Sequence, residues 1–403
     1  MTFEEHSLHL AGVRIVLPGR VLEGGSLTIR NGRIVEVGPS KASVAAETGV
    51  DLNGCTLYPG FIDVHIHGAM GVDTMEANKN GLQTVSVFLA SQGVTAWLPT
   101  LVPAPDRDYE LAVKAITELM AEQSDASDRQ WKRGARALGV HYEGPFVNQL
   151  QCGALRTDYF KTPSGGSDLH RLPLPQAQLA VKMMTVAPEV ERGIELINEL
   201  NAGNWIVSIG HTRADVEVLD LAYEAGARHM THFMNAMAPM HHRSPGPIGW
   251  GLSRADVTCD LIADGVHLDP FMLQLLLRMK SPQSLTLISD AIAAAGRGDG
   301  QYEIWGETIE VRNGRTRNAR GSIAGSVISM LDAVRLMTTL KVSEIDIARM
   351  SASNPARLLG MEHECGSIEE GKRADLVALN SEGNVRLTLV GGEVAYQDPP
   401  LTI

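Results

Sequence analysis

Cysteine, aromatic residues and positive charge are all scarce in this sequence of 403 residues. Its four cysteines are far apart and form no C-x-x-C pair, so they suggest neither a disulfide framework nor a zinc ribbon. Such sparse thiols are typical of a reducing compartment, and we predict a cytoplasmic protein. Acidic residues number 47 against 35 lysines and arginines, for a net charge of -12. This balance argues against nucleic acid or an anionic membrane as the partner.

Long apolar runs are also missing, and none approaches the length of a membrane span. The first residues include Glu4 and Glu5 and lack an apolar stretch, so we expect no signal peptide. Hydrophobic residues nevertheless make up 44% of the chain and charged residues 20%, as in a folded globular protein. A chain of this length has room for one large barrel or for two ordinary domains.

Short alternating segments broken by turns occupy both ends of the chain. Asn31-Gly32 lies between two such segments and is a strong signal for a β-hairpin. Residues 375–379 and 385–390 have the same alternating, apolar character. We therefore predict that residues 1–57 and 361–403 together form one small β-sandwich. It would flank a central domain made of residues 58–360.

In that central part, eight apolar strand-like runs alternate with helical patterns. The runs are Phe61–His67, Val94–Pro99, Ala137–Glu143, Leu179–Val186, Trp205–His211, Arg228–His232, Thr258–Asp264 and Leu285–Asp290. This alternation predicts an α/β fold, a TIM-type (β/α)8 barrel. An open, doubly wound sheet is the alternative, but no G-x-G-x-x-G follows the first run.

One connection is unusually long. From Gly144 to Gln178 the chain is rich in glycine, proline and serine and has no clear periodicity. Long irregular loops in compact domains are usually functional. Because this loop directly follows Glu143, we expect it to cover a site at the end of the third strand.

Five of the eight runs end in side chains that can bind a metal ion. These residues are His65, His67, Glu143, His211, His232 and Asp290. In a barrel, the carboxyl ends of all strands meet at one mouth, where the active sites of this fold lie. Each residue alone is more often structural, but five strand ends that converge on one place predict a metal centre.

The ligand types indicate how the centre would be divided. Glu143, His211 and His232 would hold one cation and leave a position for water, the pattern of a catalytic site. His65 and His67 project from the same strand face and would hold a second cation, with Glu143 between the two. We therefore expect one or two divalent ions, zinc, iron or similar. Asp290 is the natural general base.

The motifs around these residues resemble the N-acetylglucosamine-6-phosphate deacetylase branch of the amidohydrolase superfamily. The matching strings are Pro59–Gly68, Tyr142–Phe146, Gly210–Thr212, Thr231–Met237, Ile262–His267, Ser289–Ala291, Ile323–Ser326 and Glu369–Val377. The E-G-P-F and H-x-x-N-A-M strings are the most specific of them. In this family the metal-binding glutamate lies on the third strand. Lys182 lies near the start of the fourth run, which argues against the hydantoinase and dihydroorotase branches.

The resemblance implies a metal-dependent hydrolysis that removes the acetyl group from an amino-sugar 6-phosphate, carried out by a homodimer. It implies that Asp290 and His267 are catalytic and that His267 polarises the acetyl carbonyl. Asn235, Ala236 (through its backbone) and Arg243 would hold the sugar phosphate, for which the planar fork of arginine is well suited.

The other polar residues near these motifs have supporting roles in this interpretation. Asp63 and His141 share strand faces with ligands, and we expect them to orient those ligands. We expect His229, His241 and His242 to be structural or at the surface.

One position departs from the family pattern. After E-G-P-F the family usually carries Gly-Ala-His, and that histidine helps to hold sugar hydroxyls; this chain has Gly153-Ala154-Leu155. The sugar could therefore be N-acetylglucosamine 6-phosphate or another one, such as N-acetylgalactosamine 6-phosphate. Two further hypotheses are an amidohydrolase for a cyclic amide or a base, and a non-catalytic barrel, which predicts eroded ligands.

Overall fold

Eight parallel strands form the barrel in the computed structural model, which describes residues 7–40, 49–124, 134–165, 167–177 and 179–398. The strands are β1 (Phe61–Ile66), β2 (Val94–Leu101), β3 (Gly139–Glu143), β4 (Val181–Val186), β5 (Ile206–Ile209), β6 (His229–Met230), β7 (Thr258–Ile262) and β8 (Leu285–Ile288). Each pairs in parallel with the next. The circuit returns from β8 to β1 where the backbone N–H of Asp290 donates to the carbonyl of His65 at 2.9 Å. The predicted barrel is confirmed.

Every predicted run coincides with one of these strands; seven of the strands are shorter than their runs, and β2 extends two residues beyond its run. His65 and Glu143 lie within β1 and β3, whereas the other four candidate ligands follow a strand by one or two residues. All six are therefore at the carboxyl end of the barrel, where a parallel sheet collects its strand ends.

Helices fill most of the connections and pack on the outside of the barrel. They span Lys79–Ser91, Asp106–Ser124, Ser167–Arg171, Gly193–Ala202, Val216–Glu224, Gly246–Ser253, Pro270–Met279, Met330–Thr339, Glu344–Ala348 and Asn354–Leu358. The helix Pro270–Met279 shows why they form. Asp269 accepts a hydrogen bond from the N–H of Phe271 at 2.8 Å, and proline occupies the first position. Leu273 and Leu276 then face the core. None of the described helices is both long and apolar enough to span a membrane.

The long connection after β3 has little regular structure, as predicted. It contains the short helical turns Gln149–Gln151 and Thr157–Tyr159 and the helix Ser167–Arg171, while residues 166 and 178 lie outside the described part. The N–H of Asn148 donates to the carbonyl of His211 at 3.0 Å, which ties this connection to the mouth of the barrel.

Both chain ends build one eight-stranded sheet beside the barrel, which confirms the predicted sandwich. Its strands are Ser7–Leu17, Arg20–Arg30, Arg33–Pro39, Gly49–Asp51, Thr56–Pro59, Leu376–Leu379, Val385–Val390 and Glu393–Gln397. Thr56–Pro59 joins the two halves, because it pairs antiparallel with Leu376–Leu379. Asn31 and Gly32 form the predicted hairpin turn with φ of 51° and 76°. The boundaries at residues 57/58 and 360/361 stay a prediction.

Smaller strands complete the structure. A three-stranded antiparallel sheet of Gly300–Ile304, Glu307–Arg312 and Arg315–Arg317, which we call the β8 hairpin sheet, lies in the connection after β8. The sequence patterns did not predict this sheet. Gly68–Ala69 pairs with Val72–Asp73, and Arg136–Ala137 pairs with β2.

Candidate metal centre and active site

Glu143 lies at the centre of the candidate site. Its Oε1 atom lies 3.0 Å from the Nε2 atoms of both His211 and His232 and 3.5 Å from that of His65. Its Oε2 atom lies 3.4 Å from Nε2 of His67. All five side chains are buried. The ligand atoms form two groups of three that share Glu143, and within each group they lie within 4.8 Å of one another.

The hydrogen bonds of His211 and His232 define which nitrogen of each ring faces the centre. Nδ1 of His211 donates to the carbonyl of Gln151 at 2.8 Å, and Nδ1 of His232 donates to that of Asn235 at 3.2 Å. A carbonyl only accepts, so each Nδ1 carries its proton, and a neutral ring then has a lone pair on Nε2. The two Nε2 atoms are 3.1 Å apart. Two lone pairs facing each other beside a carboxylate are a donor set that fits a divalent transition metal.

The other pair of histidines also brings its Nε2 atoms together, but neither Nδ1 is held by a backbone carbonyl. The Nε2 atoms of His65 and His67 lie 3.2 Å apart, and Nδ1 of His65 lies 2.8 Å from the hydroxyl of Thr231. Oδ1 of Asp290 lies 3.4 Å and 3.3 Å from these two Nε2 atoms. The second group therefore has carboxylates on two sides, Glu143 and Asp290.

The electrostatics of the centre favour positive charge. Burial would raise the pKa of Glu143, but the surrounding imidazoles hold it well below its usual range. Burial would lower the pKa of His67, but hydrogen bonding to Asp290 and the charge of Glu143 raise it to about 9. Burial dominates at His65 and lowers its pKa well below the usual value. Carboxylates that stabilise a proton on one imidazole also stabilise a bound cation.

Three of the candidate residues share an uncommon backbone conformation. His211, His232 and Asp290 have φ of 48°, 31° and 50°, in the left-handed region that side chains other than glycine rarely adopt. Such conformations cost on the order of 1–3 kcal/mol each and cluster at functional sites. The backbone thus supports a functional role for these strand ends, independently of the side-chain chemistry.

A cavity of about 310 Å³ opens above the centre. Its walls come from several connections and include Gly153, Ala154, Leu155, Asn235, Ala236, His267, Trp305 and Ile323. The connection after β3 supplies the first three, so part of the predicted lid forms one wall. Leu155 is buried and apolar where the resembling family carries histidine. Trp305 comes from the unexpected β8 hairpin sheet, and its ring lies 5.2 Å from that of His67.

His267 is held by a partner that sequence analysis missed. Its Nδ1 lies 2.6 Å from Oδ2 of Asp264, while the N–H groups of Val266 and His267 donate to Oδ1 at 2.8 Å each. Burial would raise the pKa of Asp264, but these hydrogen bonds lower it. The carboxylate therefore fixes the imidazole, and Nε2 is the nitrogen available to the cavity. The D-x-x-H spacing in a strand-end loop was the signal that could have found this pair.

Arg243 is the one predicted site residue that belongs neither to the cavity lining nor to the ligand groups of the metal centre. It lies on an exposed turn, where its guanidinium donates to Nε2 of His242 at 2.7 Å. Asn235 and Ala236 do line the cavity, and the carbonyl of Asn235 is already used by His232. His241 and His242 are exposed, with ring centroids 4.1 Å apart.

Polar residues packed beneath the centre hold its histidines. The ring of His141 lies 4.7 Å from that of His65, and its Nε2 lies 2.8 Å from the hydroxyl of Thr185. Asp63 accepts hydrogen bonds from the hydroxyl and the N–H of Ser289, at 2.5 and 3.2 Å. The sequence patterns gave no sign of the two threonines, Thr185 and Thr231, because their hydroxyls come from neighbouring strands.

Two further residues are structural. His229 is buried inside the barrel, where Nε2 lies 2.8 Å from Oδ2 of Asp260. Lys182 lies near the amino end of β4, and its Nζ donates to the carbonyl of Gly203 at 2.6 Å. A lysine held there is at the wrong end of the barrel to take part in a metal centre.

Fold and site together are those of a metal-dependent hydrolase built on a (β/α)8 barrel. Residues 194–395 match the amidohydrolase family. Over 392 residues the chain is 35% identical to the N-acetylglucosamine-6-phosphate deacetylase of Bacillus subtilis, and the match covers 97% of each protein. It is 34% identical to the N-acetylgalactosamine-6-phosphate deacetylase of Escherichia coli O157:H7, with coverage of 93% of this chain and 95% of that one.

The crystal structure of N-acetylglucosamine-6-phosphate deacetylase from Thermotoga maritima superposes with a TM-score of 0.85 at 32% sequence identity. The superposition covers 97% of this chain and the whole of that one. The chain belongs to the N-acetylglucosamine-6-phosphate deacetylase family of the amidohydrolases, and the resemblance inferred from its motifs is confirmed.

Proposed function

We propose that this chain hydrolyses the acetamido group of N-acetylglucosamine 6-phosphate to acetate and glucosamine 6-phosphate. The observation that carries the proposal is the convergence of four imidazoles and two carboxylates on the floor of a cavity large enough for a small ligand. Membership of the deacetylase family points to the same reaction. The reaction belongs to amino-sugar catabolism.

We propose that His65, His67 and Glu143 hold one divalent cation and that Glu143, His211 and His232 hold another, with Asp290 facing the first pair. The metal could be zinc, iron or a similar ion, with one or two per chain. A divalent cation held there would polarise a carbonyl and increase the acidity of water. The residues of the chain then position the substrate and move the protons.

Asp290 is the residue we propose as general base and then general acid. Its carboxylate lies beside the imidazoles at the cavity floor, where it can take a proton from the attacking water. The same proton can then pass to the nitrogen of the acetamido group as the C–N bond breaks. In its doubly protonated form, His267 would donate from Nδ1 to Asp264 and from Nε2 to the acetyl oxygen, and so stabilise the negative charge that develops on that oxygen.

The phosphate would be held by the side chain of Asn235, the backbone of Ala236 and the guanidinium of Arg243. Because Arg243 lies outside the cavity of its own chain, we propose that it serves the cavity of a second copy in a homodimer. We propose the homodimer from the family resemblance and the cytoplasmic location from the sparse cysteines. We also propose the domain boundaries at 57/58 and 360/361.

Two alternatives compete with this assignment. Relatives named for the glucosamine and the galactosamine substrates are 35% and 34% identical to this chain, and Leu155 cannot donate a hydrogen bond to a sugar hydroxyl. N-acetylgalactosamine 6-phosphate is therefore the second candidate. The other candidate reaction is cleavage of a cyclic amide or deamination of a base. It would need neither Asn235 nor Arg243.

The decisive experiment measures acetate release by the metal-loaded protein from both N-acetylhexosamine 6-phosphates and from both unphosphorylated sugars, together with the opening of a cyclic amide. We expect kcat/KM to be highest for N-acetylglucosamine 6-phosphate. Asp290→Asn should lower kcat on the order of a hundredfold or more, because it removes the base. A higher kcat/KM for N-acetylgalactosamine 6-phosphate would make that sugar the substrate instead. Opening of the cyclic amide without acetate release would overturn the deacetylase assignment.

A further inference from the structure

The β8 hairpin sheet presents a row of arginines on one face. Arg312 and Arg315 are direct partners across its tight turn, and Arg317 is the partner of Glu310. Val311 and Thr316 lie between them along the two strands and are buried. Side chains alternate along a strand, so the charged residues project together from the opposite face.

These arginines line a second cavity, of about 520 Å³, beside the catalytic one. Ile323 lines both cavities, so the two adjoin. Gly265 and Val266 form another part of the lining, and they directly precede His267. The second cavity is thus in contact with the loop that positions His267, yet it contains none of the residues assigned to the metal centre.

The guanidinium groups in this cavity have no internal partners. Within the described part of the chain, Arg312, Arg315 and Arg317 make no ion pair or side-chain hydrogen bond, whereas Arg320 nearby makes both. Like charges directly opposite on paired strands are destabilising. All three arginines are exposed, and no carboxylate within the described part of the chain contacts them to offset that repulsion.

Carboxylates in the cavity wall do not supply that partner. Asp269 lines the cavity, but it caps the helix Pro270–Met279 by accepting from the N–H of Phe271. Glu310 faces Arg317 across the strands without a contact within 4.0 Å. Asp269 keeps its negative charge while it caps the helix, so three guanidinium groups face two carboxylates and an excess of positive charge remains.

We propose that the arginine cavity is an anion-binding site for a phosphate or carboxylate group of a small molecule, separate from the phosphate contacts of the catalytic cavity. The fork geometry of arginine matches both groups through paired hydrogen bonds. Two sources would present this chemistry: a second anionic group on a substrate that extends past Ile323, or an independent anion that acts on the His267 loop.

Inorganic phosphate is the probe for the site itself. Its binding to the metal-loaded protein is measured by isothermal titration calorimetry. Arg315→Gln combined with Arg317→Gln should weaken one class of phosphate sites by about tenfold or more, since each lost bond involves charged groups. The control combines Arg20→Gln with Arg278→Gln, which removes the same charge from two exposed positions outside both cavities. We expect the control to bind phosphate as the wild type does.

Equal phosphate binding in all three proteins, or an equal loss in both double variants, would overturn the proposal. A crystal soaked in selenate gives an independent measurement, because anomalous signal in the arginine cavity locates the anion. If signal appears only at high selenate concentration and the Arg315/Arg317 variant binds phosphate as before, the site holds an adventitious ion only. That outcome would also overturn the proposal.

Kinetics separate the two sources of the anion. If the anion is part of the substrate, the Arg315/Arg317 variant should raise KM about tenfold for acetylated sugars that carry a second anionic group and leave KM for the monophosphate unchanged. If the anion is independent, added phosphate should change the turnover of the unphosphorylated sugar in the wild type and not in the variant. Neither test depends on which amino sugar is the substrate. Failure of the deacetylase assignment would appear instead as absent acetate release in every protein.

Discussion

The Nε2 atoms of His211 and His232 face each other 3.1 Å apart, and both lie 3.0 Å from the same oxygen of Glu143. Backbone carbonyls hold the opposite nitrogen of each ring, so the two lone pairs cannot turn away. A proton on one Nε2 atom or a cation between the rings relieves the repulsion between them. The arrangement therefore couples the local structure of the mouth to the binding of a cation.

Metal content is the direct measure of this coupling. Because Glu143 belongs to both ligand groups, Glu143→Ala should remove essentially all bound divalent metal, measured by elemental analysis after dialysis. The exposed Glu195 provides a control, and Glu195→Gln should keep the wild-type metal content. Full metal content and activity in Glu143→Ala would refute the proposed centre.

The contact between Asp264 and His267 predicts a selective loss of catalysis. Asparagine at position 264 retains an oxygen for the N–H groups of Val266 and His267 but no longer accepts from Nδ1 of His267. Loss of one donor to a developing oxyanion costs about 10²–10³-fold. Since Asp264→Asn only loosens such a donor, kcat should fall by about tenfold to a hundredfold with KM and metal content little changed. Asp264→Glu should restore part of the rate. Normal kcat in Asp264→Asn would mean that the pair serves stability alone.

Arg243 should contribute to phosphate binding without contributing to chemistry. Arg243→Ala should weaken 6-phosphorylated substrates by roughly 2–4 kcal/mol, as expected when one partner of a charge pair is truncated, and leave unphosphorylated sugars almost unaffected. If the side chain serves a second copy, mixing Arg243→Ala with Asp290→Asn should regain part of the wild-type activity. Equal losses on both kinds of sugar would indicate a structural role, and no loss would return Arg243 to the surface.

The buried pair of His229 and Asp260 predicts a stability effect remote from the reaction. Both side chains are fully buried, and Nδ1 of His229 also lies 2.6 Å from the hydroxyl of Thr258. Asp260→Ala removes the carboxylate and leaves a buried imidazole without its partner. We expect the free energy of unfolding to fall by about 3–5 kcal/mol, measured by urea denaturation. The exposed His363 gives the control, because His363→Ala should change stability by less than about 0.5 kcal/mol.

The cysteines should differ sharply in their reactivity. Burial raises the pKa of the Cys259 thiol to about 12 and that of Cys365 to about 11, so at pH 8 very little of either is thiolate. Cys152 is only half-buried and directly precedes the cavity wall at Gly153. We expect a maleimide to modify Cys152 first, and a bound amino-sugar phosphate to slow the modification. Mass spectrometry of peptides identifies the site, and earlier labelling of Cys259 or Cys365 would contradict the structure.

The barrel and the floor of its site were predictable because two simple periodicities determine them. Parallel strands bring their carboxyl ends together, so ligands at the ends of β1, β3, β5, β6 and β8 converge although they are far apart in sequence. Alternation along β1 puts His65 and His67 on one side. Neither inference needs any knowledge of the loops. Together they place Glu143 and the histidines around it at one end of the barrel.

The walls of the site could not be predicted in the same way. Leu155, Trp305 and Ile323 lie in connections whose path is determined by tertiary packing rather than by a repeating pattern. The partnership of Asp264 and His267 depends on a loop turning back on itself. Arg243 is a different case, because the family resemblance implied a place at the phosphate whereas the turn that carries it lies outside the cavity of its own chain.

The pairing of Thr56–Pro59 with Leu376–Leu379 places a constraint on the order in which a newly made chain can fold. More than three hundred residues separate these two strands. At a typical rate of about 5–20 residues per second, a ribosome needs roughly a quarter of a minute to a minute to make that interval. Throughout that time the amino-terminal half of the sheet has an unpaired edge. The edge strand is short, only four residues, which limits its capacity to pair with neighbouring nascent chains while it waits for its partner.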